Sequence, residues 1–232
     1  AGELTVTDGA VLVPVPGADV LTRVTLPGGE RDTTEVRGGP SGAVVDDAGR
    51  TLVALRNRAA VAVLSDGRVT DTVEGGLYSA DDVLIADGDP YVLDRERTAL
   101  FGLDVAGDEF RGGLRAGHGA TNAVVDDFGR ILVADTRGGG LLAFSPDPFL
   151  LRQRYPVPAG PHGLAYDPTT DVAWVTLPRR NEVVGFDMRG GEPEERYRYP
   201  TVRQPDSVTV DPRTSRVVVG SAAGEGIQVI EP

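Results

Sequence analysis

Hydrophobic residues along the chain come in short runs, for example VLVPV from Val11, TLVAL from Thr51, ILVA from Ile131, VAWVT from Val172 and VVVG from Val217. Between them lie clusters of Asp, Gly, Pro, Ser and Thr. Runs this short, rich in β-branched residues and bounded by turn formers, predict strands and tight loops. No stretch approaches the ~18 consecutive apolar residues of a membrane-spanning helix. The expectation is an all-β chain.

The pattern repeats. GAVVDDAGRTLVA from Gly42 returns nearly unchanged as NAVVDDFGRILVA from Asn122, and GLAYDPTTDVAWVT from Gly163 and SVTVDPRTSRVVVG from Ser207 are more distant copies. Each is a β run, an Asp, a turn and a second β run. The Asp side chain is suited to cap the loop, and Gly49 or Gly129 to supply a positive φ. With that Asp as anchor, VLIADGDPYVLD from Val83 and LTVTDGAVLVPV from Leu4 join the set. The anchors Asp8, Asp46, Asp87, Asp126, Asp167 and Asp211 are spaced 38, 41, 39, 41 and 44 residues apart.

A third run follows in each unit (LLAFS from Leu141, EVVGFD from Glu182, GIQVIE from Gly226), and a fourth in most, such as RQRYPVP from Arg152 and ERYRYP from Glu195. Four short strands per unit of about 40 residues, repeated radially, make a propeller blade, because radial repetition protects sheet edges. The sequence therefore predicts one domain over residues 1–232, a six-bladed β-propeller with blades near 3–37, 41–74, 82–115, 121–157, 162–199 and 206–232. The last unit runs out after its third strand. Either the sixth blade has three strands, or residues preceding Ala1 complete it.

Composition narrows the chemistry. The 232 residues contain no Cys, and all 23 basic residues are Arg. Thiol nucleophiles, disulfides, thiolate metal sites and lysine Schiff bases are thereby excluded. Against 35 acidic residues the formal charge is −12, which disfavours nucleic acid and anionic membrane surfaces as partners. A start at Ala1 rather than Met is expected of a processed, exported protein, although a tag-cleaved cytosolic domain looks the same.

DDFGRILVADTRGGGLLAFS resembles the NHL propeller repeat, and PHGLAYDPTTDVAWVTLPRRNEVVGFD resembles the YVTN (YncE-like) surface-propeller repeat. The resemblance spans essentially the whole chain and is specific for architecture. In the family's A-D position after the second strand Asp135 matches, whereas Leu55 and Leu177 depart from it. Such repeats occur in ligand-binding scaffolds, sensors, lactonases and lyases, so fold alone does not choose among them.

Candidate site residues follow from the repeat. Five positions before each anchor lie Glu3, Ser41, Asp82, Thr121, His162 and Asp206, all polar and all at the start of a blade's innermost strand. Such a ring at a channel mouth can be merely solvated, or can hold a polar ligand or, through hard oxygens, a divalent cation. The neighbouring His118, in GHGAT, is expected on a loop of the same face.

The enzyme relatives fit poorly. Amidating lyases of this fold use several histidines, and this chain has two; virginiamycin-type lyases repeat PHGLA-like strand starts, and only His162 fits. The gluconolactonase class uses Glu, Asn and Asp around a cation. Glu3, Asp82 and Asp206 imitate that set, but Asn122 is one residue off the ring. No G-x-S-x-G elbow is present. Adjacent pairs such as Asp46–Asp47, Asp81–Asp82 and Asp126–Asp127 point to opposite strand faces and read as turn formers.

A second patch combines Arg179 and Arg180, in a loop, with the alternating Arg196, Tyr197, Arg198 and Tyr199, either a charge-guarded edge strand or a docking edge. Taken together, the sequence leads to a monomeric, non-enzymatic binding propeller of the cell envelope or exterior. It would engage a protein or small polar ligand at one face, without a catalytic residue, metal or cofactor. The alternative is a cation-dependent hydrolase, lactonase or lyase at the channel mouth.

Overall fold

The computed structural model describes residues 3–7 and 9–232, so the first anchor, Asp8, lies outside the described residues. Blade 1 comprises β1 (Thr5–Thr7), β2 (Ala10–Val15), β3 (Val20–Thr25) and β4 (Arg31–Glu35); blade 2 comprises β5 (Pro40–Val45), β6 (Thr51–Leu55), β7 (Ala60–Ser65) and β8 (Arg68–Glu74). Blade 3 follows with β9 (Asp82–Ala86), β10 (Asp89–Asp94), β11 (Ala99–Asp104) and β12 (Glu109–Arg115), and blade 4 with β13 (Ala120–Val125), β14 (Ile131–Asp135), β15 (Gly140–Ser145) and β16 (Leu150–Pro156). Blade 5 holds β17 (Leu164–Asp167), β18 (Val172–Leu177), β19 (Glu182–Asp187) and β20 (Glu194–Pro200), and blade 6 holds β21 (Pro205–Asp211), β22 (Arg216–Ser221) and β23 (Ile227–Ile230). Each sheet is antiparallel in simple meander order, which makes the chain an all-β six-bladed propeller with three strands in the last blade. Blades 1 to 3 fall in one compact unit, Ala1–Arg115, and blades 4 to 6 in a second, Ala116–Pro232. No helix of the described residues is long and apolar enough to cross a membrane.

The hairpin between the first two strands shows how the repeated Asp works. Asp46 Oδ1 accepts the backbone N–H of Ala48 (3.1 Å) and Arg50 (2.8 Å), and Asp126 Oδ1 does the same for Phe128 and Arg130. Gly49 and Gly129 take φ of 77° and 73° in the same loops, a region open to glycine at little steric cost. Asp167 and Asp211 cap their turns equivalently, through Thr169 and Arg213. Asp87 departs from the expected role. Ala86 pairs directly with Asp89, leaving Asp87 and Gly88, both at positive φ, as a two-residue turn in which Asp87 is a central residue rather than a cap.

Middle strands are apolar on both faces because each is covered by its neighbours in sequence. Every residue of β14 and β18 is buried, whereas the outer strands β12, β16 and β20 alternate between exposed and half-buried positions. The apolar clusters lie between consecutive blades. One joins Leu52, Val63 and Val73 of blade 2 to Val83, Val92 and Leu103 of blade 3, and another joins Leu132 and Leu141 of blade 4 to Val175 and Val184 of blade 5. Each such side chain contributes about 1.5–3 kcal/mol on burial.

The Arg/Tyr strand β20 is resolved by the same packing. Tyr197 and Tyr199 stack on the buried Trp174 at 5.4 and 6.2 Å between ring centroids, within the cluster that includes Val217, Val219 and Ile230 of blade 6. On the opposite face Arg196 pairs with Asp187, and Arg198 with Glu182 and Glu195. The tyrosine face is core, so β20 is a charge-guarded outer strand and its aromatic side is not open to a partner.

Candidate functional site

Within each unit the first strands of consecutive blades pack side by side: β1 on β5 and β5 on β9, then β13 on β17 and β17 on β21. This brings the six predicted strand-start residues to the same end of their blades. Three occupy an irregularity that sequence periodicity does not reveal. The register slips by one residue between Pro40 and Gly42, Ala120 and Asn122, and Pro205 and Ser207. Ser41, Thr121 and Asp206 are therefore the extra residues of β-bulges, a device that re-aims a side chain out of the regular alternation.

In the first unit, Glu3 and Asp82 come together. Glu3 donates its backbone N–H to Ser41 O (2.7 Å), and its carboxyl hydrogen-bonds that of Asp82. Two carboxyls can bond only if they share a proton. Burial raises the Glu3 carboxyl above its ordinary range, partly offset by Asp82 and the positive Arg95. Asp82 is pushed up further, first by burial and then by the charge of Glu3. Room for it exists because residue 42 is glycine: a Cβ there would stand 2.3 Å from Asp82 Oδ1.

Asp81 and Asp82 thus form no turn, contrary to the sequence reading. Asp81, at the entry to β9, accepts Arg56 Nε (2.7 Å), the Arg95 N–H (2.9 Å) and Ser79 Oγ. Ser79 also bonds the fully buried Asp94, which accepts the N–H of Tyr78 (2.7 Å) and Arg97 (2.8 Å). Ser41 Oγ bonds Ala80 O at 2.9 Å and Ala54 O at 3.3 Å.

In the second unit hydroxyl and amide groups make most of the bonds. Thr121 Oγ1 lies 2.7 Å from Thr136 Oγ1 and 3.4 Å from His162 O, and Asn122 Nδ2 donates to His162 O at 2.8 Å. His162 Nδ1 lies 2.9 Å from Asp206 O. Ser41, Thr121, Asn122 and His162 therefore each bond the backbone of the next blade. His118 is exposed as expected, but its N–H, with those of Gly119 and Gly138, is held by the buried Asp135. Sequence reasoning did not single out Ser79, Asp94 and Thr136; the position of Asp94 after its second strand, matching Asp135, was the available signal.

Asp81 is paired with Arg56 and Arg95, and His162 Nδ1 lies against a backbone carbonyl. Among the described residues no group of three or more His, Cys, Asp or Glu side chains is placed to hold a metal ion.

No family model matches the chain. No curated protein matches it in sequence either. Among solved structures it is similar to Kuenenia stuttgartiensis hydrazine synthase, with a TM-score of 0.79 at 14% identity over 97% of this chain and 80% of that one. It is also similar to a catalytically inactive virginiamycin B lyase from Staphylococcus aureus with quinupristin, with a TM-score of 0.77 at 14% identity over 93% and 75% of the two chains. A chain of the mitotic checkpoint complex gives a TM-score of 0.84 at 7% identity, over 99% of this chain and 73% of that one. Proteins with such different roles share the architecture alone, and these likenesses place the chain among β-propellers.

Proposed function

We propose that the protein is a propeller of the NHL/YVTN class that acts without catalysis, as a binding or scaffold protein of the cell envelope or exterior, engaging a protein or small polar ligand at one propeller face. The observation that carries this reading is the use made of the strand-start residues. Ser41, Thr121, Asn122 and His162 are engaged in blade-to-blade bonds, and Glu3 and Asp82 in one another. A catalytic constellation needs a nucleophile or base free to meet substrate. The NHL/YVTN assignment rests on the repeated strand, capping Asp and following strand, and the location on the surface-propeller resemblance.

The test is turnover. Purified protein incubated with panels of lactones and glycosides, with and without added Mg²⁺, is expected to match buffer controls. Turnover that disappears in both Asp206→Ala and His162→Ala would overturn the reading in favour of a cation-dependent hydrolase or lyase. That second reading draws its support from the Glu3–Asp82 carboxyl pair.

A further inference from the structure

The outermost strand of a blade is a free sheet edge, and blades 2 to 5 guard theirs in two ways. Their outer strands β8, β12, β16 and β20 all carry charged side chains. Each also shows a one-residue register shift against its third strand, at Val63/Leu64, Phe101/Gly102, Ala143/Phe144 and Gly185/Phe186. Charges and bulges of this kind keep an edge from pairing with another chain. Blade 6 has neither guard. Its outermost strand is β23, with the sequence IQVI, no charged residue and an unshifted register against β22. Ile227 and Val229 are 73% and 58% exposed, on the face that also holds the half-buried Val218.

The backbone of β23 determines what this edge offers. Gly226 O accepts the N–H of Ser221 in β22 at 3.1 Å. Hydrogen-bonding groups alternate in direction along an antiparallel strand, so Gln228 and Ile230 also face β22, while Ile227 and Val229 turn their N–H and C=O outward. Side chains alternate with the same period. Ile230 is buried in the cluster against blade 5, and Gln228 bonds the Val202 N–H and Pro200 O on that side, which leaves Ile227 and Val229 together on the open face.

The segment 225–231, EGIQVIE, is close to self-complementary about Gln228. Laid antiparallel on a second copy with a two-fold axis at Gln228, Ile227 of one copy stands opposite Val229 of the other, and Gly226 opposite Ile230. The outward N–H and C=O of Ile227 and Val229 are then all paired. Glu225 meets Glu231 at each end, but each already has an arginine, Arg203 and Arg216, as ion-pair partner. Other registers are worse. An axis at Val229 sets Ile227 opposite Glu231, and an axis at Ile227 sets Val229 opposite Glu225.

We propose that β23 is a self-association edge, through which two copies of the chain join their blade 6 sheets into one continuous antiparallel sheet about a two-fold axis at Gln228. An isologous contact requires a self-complementary segment, and this one supplies it, which makes a second copy the occupant. The contact is small, below the ~1,200 Å² of a standard interface, so the dimer is weak and reversible. With −12 on each copy it strengthens as salt rises. Such a dimer presents two copies of any ligand-binding face, so that a bivalent target is held more tightly than by either copy alone.

The experiment is sedimentation equilibrium of the full chain from about 10 µM to about 1 mM at low and high salt. The average mass is expected to rise from that of one copy toward that of two and to stop there. Val229→Pro removes an outward N–H that β22 does not use, and should weaken the dimer about tenfold or more. Val229→Lys should do likewise although it lowers the net negative charge. Leu151→Lys, the same kind of change at an exposed position of the guarded strand β16, should leave the dimer within about twofold. Cross-linking reads the register. The chain has no cysteine, and residues directly opposite in a non-hydrogen-bonded pair have Cα atoms about 4.5 Å apart, within disulfide reach. Under mild oxidation Gln228→Cys should therefore form a disulfide-linked dimer many times faster than Ile227→Cys, whose copies lie offset along the strands. The proposal is overturned by a mass that stays at one copy, by growth past two copies, by Val229→Lys or a folded Val229→Pro dimerising as wild type, by an equal loss in Leu151→Lys, or by cross-linking as fast at 227 as at 228. It is overturned too if a longer polypeptide with further residues at either end stays monomeric and protects the Ile227 and Val229 amides from exchange, since its own segment then fills the edge. Turnover that depends on His162 and Asp206 removes the non-catalytic reading and leaves each of these outcomes as decisive as before.

Discussion

Blades 1 to 3 and blades 4 to 6 present the same strand-start positions and hold them by different chemistry. In the first unit the position is charged: Glu3 and Asp82 share a proton, and Asp81 and Asp94 anchor a network with Ser79, Arg56 and Arg95. In the second it is made mainly by hydroxyl and amide groups, with His162 Nδ1 against the Asp206 carbonyl. One repeat can therefore carry either carboxyl-based or hydroxyl- and amide-based wiring, and the choice decides which half responds to pH.

The comparison has one shared component, and removing it should have the largest effect. Asp94 and Asp135, both fully buried, fasten the linker entering their own blade by accepting two or three backbone N–H groups. Replacing either with Ala strands those donors in a dry site, at about 1–3 kcal/mol for each unsatisfied group. Asp94→Ala and Asp135→Ala are each expected to lose about 3 kcal/mol or more in urea denaturation. A loss under about 1 kcal/mol in one of them would show that the two halves do not share this fastening.

The next prediction separates the halves. Glu3 and Asp82 bind protons more tightly folded than unfolded, so their contribution to stability is complete below the ordinary carboxylate range, near pH 4, and is lost as pH rises through their raised folded values. Asp104, Asp187, Asp211, Glu195 and Glu225 are all held below their ordinary range, mainly by arginine or by backbone N–H bonds, and act in the opposite sense on the acid side of pH 4. Above about pH 5 the slope belongs to the buried pair. Wild-type stability should fall from pH 5 toward pH 8, and Asp82→Asn, which keeps a hydrogen-bonding partner for Glu3 without a second charge, should flatten that fall. An unchanged slope in Asp82→Asn would place the pH response elsewhere.

Much of this was legible in the sequence because a repeated Asp-turn hairpin has one local solution. Asp46, Asp126, Asp167 and Asp211 cap their loops by the bonds their side chains favour, and the positions before them mark the strand starts. The failures involve partners distant along the chain. Asp81 and Asp82 look like Asp46 and Asp47, and only Arg56, Gly42 and Glu3 distinguish them. Likewise Tyr197 and Tyr199 read as a surface stripe until Trp174 is seen beneath them. The bulges at Ser41, Thr121 and Asp206 shift register by one residue without altering composition, and so left no signal in the pattern.

The smallest effect probes the neutral stitches. Ser41→Ala removes a hydroxyl that bonds Ala80 O and leaves that carbonyl one partner short; Thr121→Val removes the bonds to Thr136 and His162 O, while Asn122 still serves His162. A net hydrogen bond is worth about 1 kcal/mol, so each variant should lose about that amount or less by urea denaturation. The losses should also be independent of pH between 5 and 8, since no proton is shared at either position. The double variant is expected to be additive, because the two stitches lie in different blades and share no partner. A loss at Thr121 that grew with pH would mean that the second half contains a titrating link, and the contrast between carboxyl-based and hydroxyl- and amide-based wiring would fail there.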